Sequence, residues 1–318
     1  MTKFFGGNSL AAFARTNALF VDGNTTSGRF DSAYVANCLY CPSGGANNTI
    51  DTPEFTVAAT GEFYLRFDAY PGWSSGYTPV TLRNGSTPVV RVYMAGATPR
   101  VDYWNGSTWV TLFTTASGAN NVLNTYVLHV TIGGFAELLR GGASLGSSSD
   151  TWTGAQSQIT NFQLSPANGN SYYSQIMAAD YDIRDSHLIV PALNGDSAAN
   201  TSGTGGYGTV GEAVLDDTTS VKLTASGNKR GQTFADISVP SGYIIGAMVV
   251  SARARVSGSI TDGKLGVRGS SGTNSSSSAL GCTGGYEPRQ AIFETDPDTA
   301  TEFTQSGFNA SEIYEEAA

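Results

Sequence analysis

Alternation of apolar and polar residues is the dominant signal along the chain. In Glu62–Tyr70, Phe63, Leu65, Phe67 and Ala69 fall on one side, and Glu62, Tyr64, Arg66 and Asp68 on the other. That is the period of a strand with one face in a core. Pro79–Arg83, Pro88–Ala95, Arg100–Trp104 and Thr108–Phe113 read as further strands. Two of their junctions carry Asn-Gly, at Asn84-Gly85 and Asn105-Gly106. Type I′ hairpin turns need positive φ at both central residues, which Asn and Gly tolerate best. The spacing predicts an antiparallel meander over residues 60–113. Thr125–Ile132 continues it, with Tyr126, Leu128, Val130 and Ile132 inward. Phe135–Leu145, Ile159–Leu164 and Tyr172–Arg184 follow. Short, regularly spaced strands with polar turns predict a sandwich or jelly roll.

The stretch Asn194–Gly208 (NGDSAANTSGTGGYG) is rich in Gly, Ser and Asn and lacks periodicity. It predicts a linker over 194–208, between a jelly-roll domain spanning 1–193 and a second β domain spanning 209–318. In that second half, Val221–Ser226, Thr233–Val239, Tyr243–Val256, Lys264–Arg268 and Gln290–Glu294 read as strands. Gly269–Ser278 (GSSGTNSSSS) reads as an exposed flexible loop. Helix is scarce. A weak one is expected over Leu10–Arg15, and a short one at the C-terminus. There Asn309 is placed to N-cap, Glu312 follows three residues later, and Phe308 can staple to Ile313. The expected fold is therefore all-β: a jelly-roll sandwich, then a smaller β-sandwich domain with a short C-terminal helix.

Composition narrows the function classes. Of 318 residues, 40% are hydrophobic, enough for a core, while only 14% are charged. This combination excludes a disordered chain, which would lack apolar residues. The net charge is −9 and the basic residues are scattered. That argues against binding a nucleic-acid backbone, which needs clustered cations to displace counterions. No run of ~18 apolar residues exists to span a membrane as a helix. Gly6, Gly7, Asn8 and Ser9 interrupt the N-terminal apolar stretch, so no secretory signal peptide is expected. Cys38 and Cys41 form a lone C-x-x-C, and Cys282 stands apart. A structural zinc site needs a second ligand pair, so reduced thiols are expected and no metal site is assigned.

Several groups could carry chemistry. Asp180, Asp182 and Asp185 (DYDIRD) echo the paired carboxylates of jelly-roll glycosidases. Asp is one methylene short for that geometry, and solvated strand carboxylates are the plainer reading. His129 and His187 are the only histidines, and neither is accompanied by a nucleophile motif. Asp216, Asp217, Asp296 and Asp298 offer a weak calcium possibility, without an EF-hand pattern. Tyr70, Trp73 and Tyr77 fall in the segment YPGWSSGY, read as an exposed loop whose rings could stack on a sugar. Trp104, Trp109 and Trp152 lie near turns.

Two stretches, FAELLRGGASLGS and YYSQIMAADYDIRDSHL, resemble strands of the concanavalin-A-like, laminin-G-like jelly roll. Segments in both halves of the chain resemble virion structural proteins of tailed bacteriophages. These are KFFGGNSLAAFART, ADYDIRDS, GNKRGQTF, PSGYIIGAMVVSARAR and YEPRQAIFETDPDTATEFTQSGFNASEI. The resemblance implies a non-enzymatic protein made in the host cytoplasm and displayed on a particle, as a tail fibre, appendage or head decoration. It implies a homo-oligomer, by analogy a trimer, in contact with other virion proteins, and in some members recognition of a host-surface glycan. Phe4, Phe5, Phe308, Ile313 and Tyr314 in the terminal segments are the expected subunit contacts. A carbohydrate-binding receptor-recognition module is the alternative, and a jelly-roll glycosidase the second alternative.

Overall fold

The computed structural model describes residues 3–7, 12–16, 38–41, 49–55, 61–116, 122–153, 156–165, 170–198, 200–201, 203–210 and 220–318. The chain divides into two compact units, Met1–Leu188 and Ile189–Ala318. The stretch predicted as a linker begins inside a strand of the second unit, because Asn194 and Gly195 pair with the next strand.

The first unit is two sheets. One runs in the order β1 (Lys3–Gly7), β14 (Ser171–Ala179), β5 (Glu62–Tyr70), β10 (Asn124–Thr131), β11 (Phe135–Arg140), β12 (Ala143–Ser148), with β3 (Leu39–Cys41) also on β14. The other runs β2 (Ala14–Thr16), β4 (Thr49–Asp51), β13 (Asn161–Leu164), β6 (Val80–Asn84), β7 (Thr87–Ala95), β8 (Thr98–Trp104), β9 (Trp109–Thr114). Both are antiparallel, and their order departs from chain order as a jelly roll requires. Phe63, Leu65, Phe67, Ala69, Tyr126, Leu128 and Val130 are buried from the first sheet, and Leu82, Val90, Val92, Val101 and Phe162 from the second. The first-sheet residues are those the alternation placed inward, except that Ile132, also expected inward, is half-buried. The segment expected to hold a helix over Leu10–Arg15 instead carries β2, which pairs with β4.

The turns depart from expectation in detail. At the first Asn-Gly site, Asn84 pairs with Thr87, so the two-residue turn is Gly85-Ser86. At the second, Asn105 caps a longer loop: its Oδ1 accepts from the main chain of Ser107 and Thr108. The double-positive-φ turn falls at Gly141 (+55°) and Gly142 (+80°), joining β11 to β12, where residues with a Cβ would be strained. A bulge in β14 leaves Gln175 at φ +53°. Its buried amide clamps the main chain of Leu188, donating to the carbonyl at 2.7 Å and accepting from the N–H at 2.6 Å.

The second unit has a five-stranded sheet in the order β15 (Leu193–Asp196), β16 (Lys229–Phe234), β21 (Glu312–Ala317), β18 (Gly263–Arg268), β19 (Asn274–Ser276). It also has a two-stranded one, β17 (Met248–Ala254) with β20 (Glu287–Phe293). Phe234, Met248, Val250, Leu265, Val267, Phe293, Phe303 and Phe308 form its core. Among the described residues, helix is limited to α1 (Tyr207–Val210) and α2 (Gln305–Asn309). The expected C-terminal helix is corrected. Thr304, not Asn309, is the N-cap, α2 ends at Asn309, and the last residues form β21, the central strand of the sheet. Val221–Ser226 forms no strand, and of the strand expected over Tyr243–Val256 only Met248–Ala254 forms one, leaving Ile244, expected inward, 73% exposed. The serine-rich loop expected at Gly269–Ser278 contains β19 and is held by Asp298.

Candidate functional site

The first sheet and the second sheet of the jelly roll each turn one face away from the core, and the best-built cluster lies on that face of the second. In β7, Val90, Val92 and Met94 are buried inward, so Arg91 and Tyr93 point the other way; Val89, also buried, sits at the bulge where the register with β6 shifts. In β8, Val101 is buried inward, and Arg100, Asp102 and Trp104 point outward. Register places Arg91 opposite Asp102, Tyr93 opposite Arg100 and Trp104 opposite Trp109.

Asp102 is wholly buried beneath two guanidiniums. Its Oδ1 accepts from Arg100 Nε at 2.7 Å, and its Oδ2 from Arg100 Nη2 at 3.0 Å and Arg91 Nε at 2.9 Å. Arg91 Nη2 lies 2.8 Å from the same Oδ2. The guanidinium of Arg91 sits between two rings, 4.5 Å from the centroid of Tyr93 and 4.3 Å from that of Trp109. Arg100 is 4.7 Å from the centroid of Tyr93. Trp104 meets Trp109 edge-to-face at 5.3 Å. The rings are half-buried. Cation–π contact and the shared carboxylate fix the guanidiniums in place. The result is a rigid platform of ring faces and guanidinium N–H groups. Flat rings bind the apolar faces of sugars, and fixed N–H groups bind their oxygens.

The expected binding aromatics are separated by the structure. Trp73 is 3% exposed, which corrects its assignment to an exposed loop. Its indole packs on Tyr126 and donates to the Tyr173 hydroxyl at 3.1 Å, making it part of the core. Tyr77 is exposed. Tyr70 is half-buried on the outer face of the first sheet, where Tyr172 lies edge-on to it and stacks on Tyr40.

The terminal residues expected to contact other subunits are corrected in the same way. Phe5 is buried against Phe13 and Phe162, Phe308 against Phe234 and Phe303, and Ile313 packs on the second unit's core. Tyr314 is 1% exposed, its ring lying over Gly266 and its hydroxyl 2.7 Å from Ser276 Oγ. These termini are tied down by their own units. The side chain of Phe4 lies outside the described residues.

The other candidates are accounted for locally. Asp182 bonds the main chain and guanidinium of Arg184, which holds its carboxyl below the usual range. β14 ends before Asp180. His129 stacks on Tyr64 at 3.9 Å, and burial lowers its pKa against the pull of Glu62, Glu137 and Asp182. Asp298 accepts from Ser270 and Ser271, and Asp296 from the main chain of Asp298. Asp216 and Asp217 lie outside the described residues. Among the described residues no three His, Cys, Asp or Glu side chains gather as a metal site. Cys38, Cys41 and Cys282 form no disulfide with one another, and burial pushes the Cys41 thiol far up.

In the second unit, Glu315 lies on the core side of β21 beside Leu265. Burial pushes its carboxyl up to about 7, opposed by the hydrogen bond from Gln232 and the charge of Arg230.

No protein-family model matches the chain, and no curated protein does. Solved structures resemble its fold. The globular domain of T. cruzi calreticulin is 10% identical, with a TM-score of 0.44 over 58% of this chain and 91% of that one. The binding domain of Paraclostridial Mosquitocidal Protein 1 is 10% identical, with a TM-score of 0.41 over 56% of this chain and 48% of that one. The receptor-binding domain of botulinum neurotoxin D is 11% identical, with a TM-score of 0.36 over 54% and 50%. This chain thus spans about half the length of the two toxin domains. The class is an all-β protein whose first unit is a two-sheet antiparallel jelly-roll sandwich.

Proposed function

We propose that this chain is a non-catalytic recognition protein displayed on a tailed-bacteriophage particle, and that its jelly-roll unit binds saccharide through the outer face of β7, β8 and β9. The observation that carries the reading is the platform around Asp102: two fixed guanidiniums interleaved with Tyr93 and Trp109 and flanked by Trp104. A surface this ordered by shared ionic contacts needs little further ordering on binding, so more of the contact energy appears as affinity. Placement on a particle rests on the sequence resemblance to virion proteins of tailed phages. The pairing of Asp182 with Arg184, and the stacking of His129 on Tyr64, favour contact over catalysis.

The test is a saccharide array probed with the wild-type protein and with Trp109→Ala. The reading expects retained glycans for the wild type and at least a roughly fivefold loss for the variant, the scale of one removed stacking contact of ~1–3 kcal/mol. An array without hits, or a folded Trp109→Ala protein that binds as the wild type does, overturns it. Detection of the chain by mass spectrometry in purified particles checks the location, and its absence from them contradicts the virion assignment.

A further inference from the structure

The charges on the platform do not cancel, and this points to the class of saccharide. Arg91 and Arg100 face one carboxylate, Asp102, which leaves one positive charge over. Each guanidinium spends Nε and Nη2 on Asp102. The Nη1 of each has no partner among the described residues and is not among the buried polar atoms. The Arg91 and Arg100 side chains are 15% and 28% exposed, so neither donor is sealed from solvent. The same row of the sheet runs from Arg91 through Thr81 and Gln163 to Asp51. Asp51 is therefore three strands away from Arg91, or about 14 Å at the usual strand spacing. That exceeds the screening length of ~8 Å at physiological salt, so Asp51 does not neutralise the platform. Asp51 is also engaged by Gln163 and Thr49. In a chain of net charge −9, this is a local positive spot with its donors fixed in direction.

We infer that the face of β7, β8 and β9 selects saccharides bearing an anionic group, a carboxylate or a phosphate, which the Nη1 donors of Arg91 and Arg100 take up while the sugar ring lies on Trp109 or Trp104. The inference rests on the saccharide-binding reading above. Each Nη1 carries N–H donors fixed in the plane of a guanidinium already held by Asp102, whereas the donors of an ammonium rotate freely.

The test uses matched pairs of probes: oligogalacturonate against the galactose oligomer of the same linkage, sialyllactose against lactose, and phosphomannan against mannan. Affinity is measured at ~0.05 M and ~0.5 M salt, across which the screening length shrinks severalfold. The expected result is at least one pair with tenfold or greater preference for the anionic member, on the scale of one hydrogen bond between charged groups. That preference shrinks at high salt. Arg100→Gln loses this preference, and Arg100→Lys, which keeps the charge without the guanidinium geometry, recovers only part of it. The pair that responds separates carboxylate from phosphate. Equal binding of charged and neutral members by the wild type overturns the inference and leaves the saccharide reading standing. Failure of the wild type to bind any probe of either kind overturns both. Should Arg100→Gln not fold, the salt dependence of the wild-type preference decides alone, and a preference unchanged by salt is the refuting result.

Discussion

Replacing Asp102 by Asn tests whether the platform is held by its central carboxylate. Asp102 is fully buried, and both of its oxygens accept hydrogen bonds from two guanidiniums at 2.7–3.0 Å. Asn keeps the shape but offers one acceptor oxygen, and turns an amide N–H₂ toward a cation. Breaking a buried ion pair by removing one partner costs ~3–5 kcal/mol, because the other charge is left uncompensated. Here the guanidiniums stranded by the change are 15% and 28% exposed and recover some hydration. The expected cost is therefore about 2–4 kcal/mol, below the top of that range. For a unit of this size, ~1 kcal/mol moves the midpoint by ~2–4 °C, so the first unit's transition falls by roughly 4–16 °C. Differential scanning calorimetry measures this directly. The control is Asp182→Asn, which breaks an ion pair with Arg184 whose partners are 46% and 42% exposed. Exposed pairs contribute ~0–1 kcal/mol. An Asp102→Asn protein as stable as the wild type, or a larger loss from Asp182→Asn, refutes the reasoning.

Other outcomes follow from individual contacts. Trp73→Ala removes a buried indole and its hydrogen bond to Tyr173 and is expected to cost ~3–5 kcal/mol in denaturant unfolding, an effect on stability that an exposed binding residue would not show. Gly266→Ala would place a Cβ 2.0 Å from the Tyr314 ring, which is walled in and cannot swing away. A loss of ~1–3 kcal/mol or more is expected in the second unit. The Glu315 carboxyl is raised from 4.5 to about 7 in the folded state, so between those values the folded form holds a proton that the unfolded form has released. The second unit therefore loses stability as pH rises from about 4.5 to about 7, and Glu315→Gln flattens that slope in melts taken across the range. His129 carries the opposite sign. Its pKa is lowered from 6.5, so the first unit loses stability as pH falls below that value, and His129→Gln weakens this dependence.

How far the sequence could be read follows from how many faces of each strand are buried. Along Glu62–Tyr70 the apolar side chains face one way, so Phe63, Leu65 and Phe67 alternate cleanly, and the strands from β5 to β14 were legible; β1, β3 and β4 are too short to show a period, and β2 read as a helix. The last strand has two buried faces. Ile313 faces the core while Tyr314 lies on Gly266 across the opposite face. The buried positions Ser311, Tyr314 and Ala317 then recur every third residue, a spacing that imitates a helix. Glycine in the neighbouring strand makes room for Tyr314, and nothing local to the last strand announces it. Trp73 misled for another reason: a Gly/Ser-rich segment reads as exposed, but its indole turns inward to meet the Tyr173 hydroxyl. The platform was half-legible. Arg91, Tyr93, Arg100, Asp102 and Trp104 alternate visibly with the apolar residues of their strands, so their shared side could have been read. Which of them face one another depends on the turn at Gly96-Ala97 that sets the register of β7 on β8.

The central claim is that saccharide binds on the outer face of the second sheet. Backbone amide shifts of isotope-labelled protein, followed during titration with an array-positive saccharide, test it most directly. The largest changes are expected at Arg91–Tyr93, Arg100–Trp104 and Trp109–Thr111. Changes confined to the tyrosines of the first sheet, Tyr40, Tyr70 and Tyr172, or to residues beyond Leu188, would contradict it.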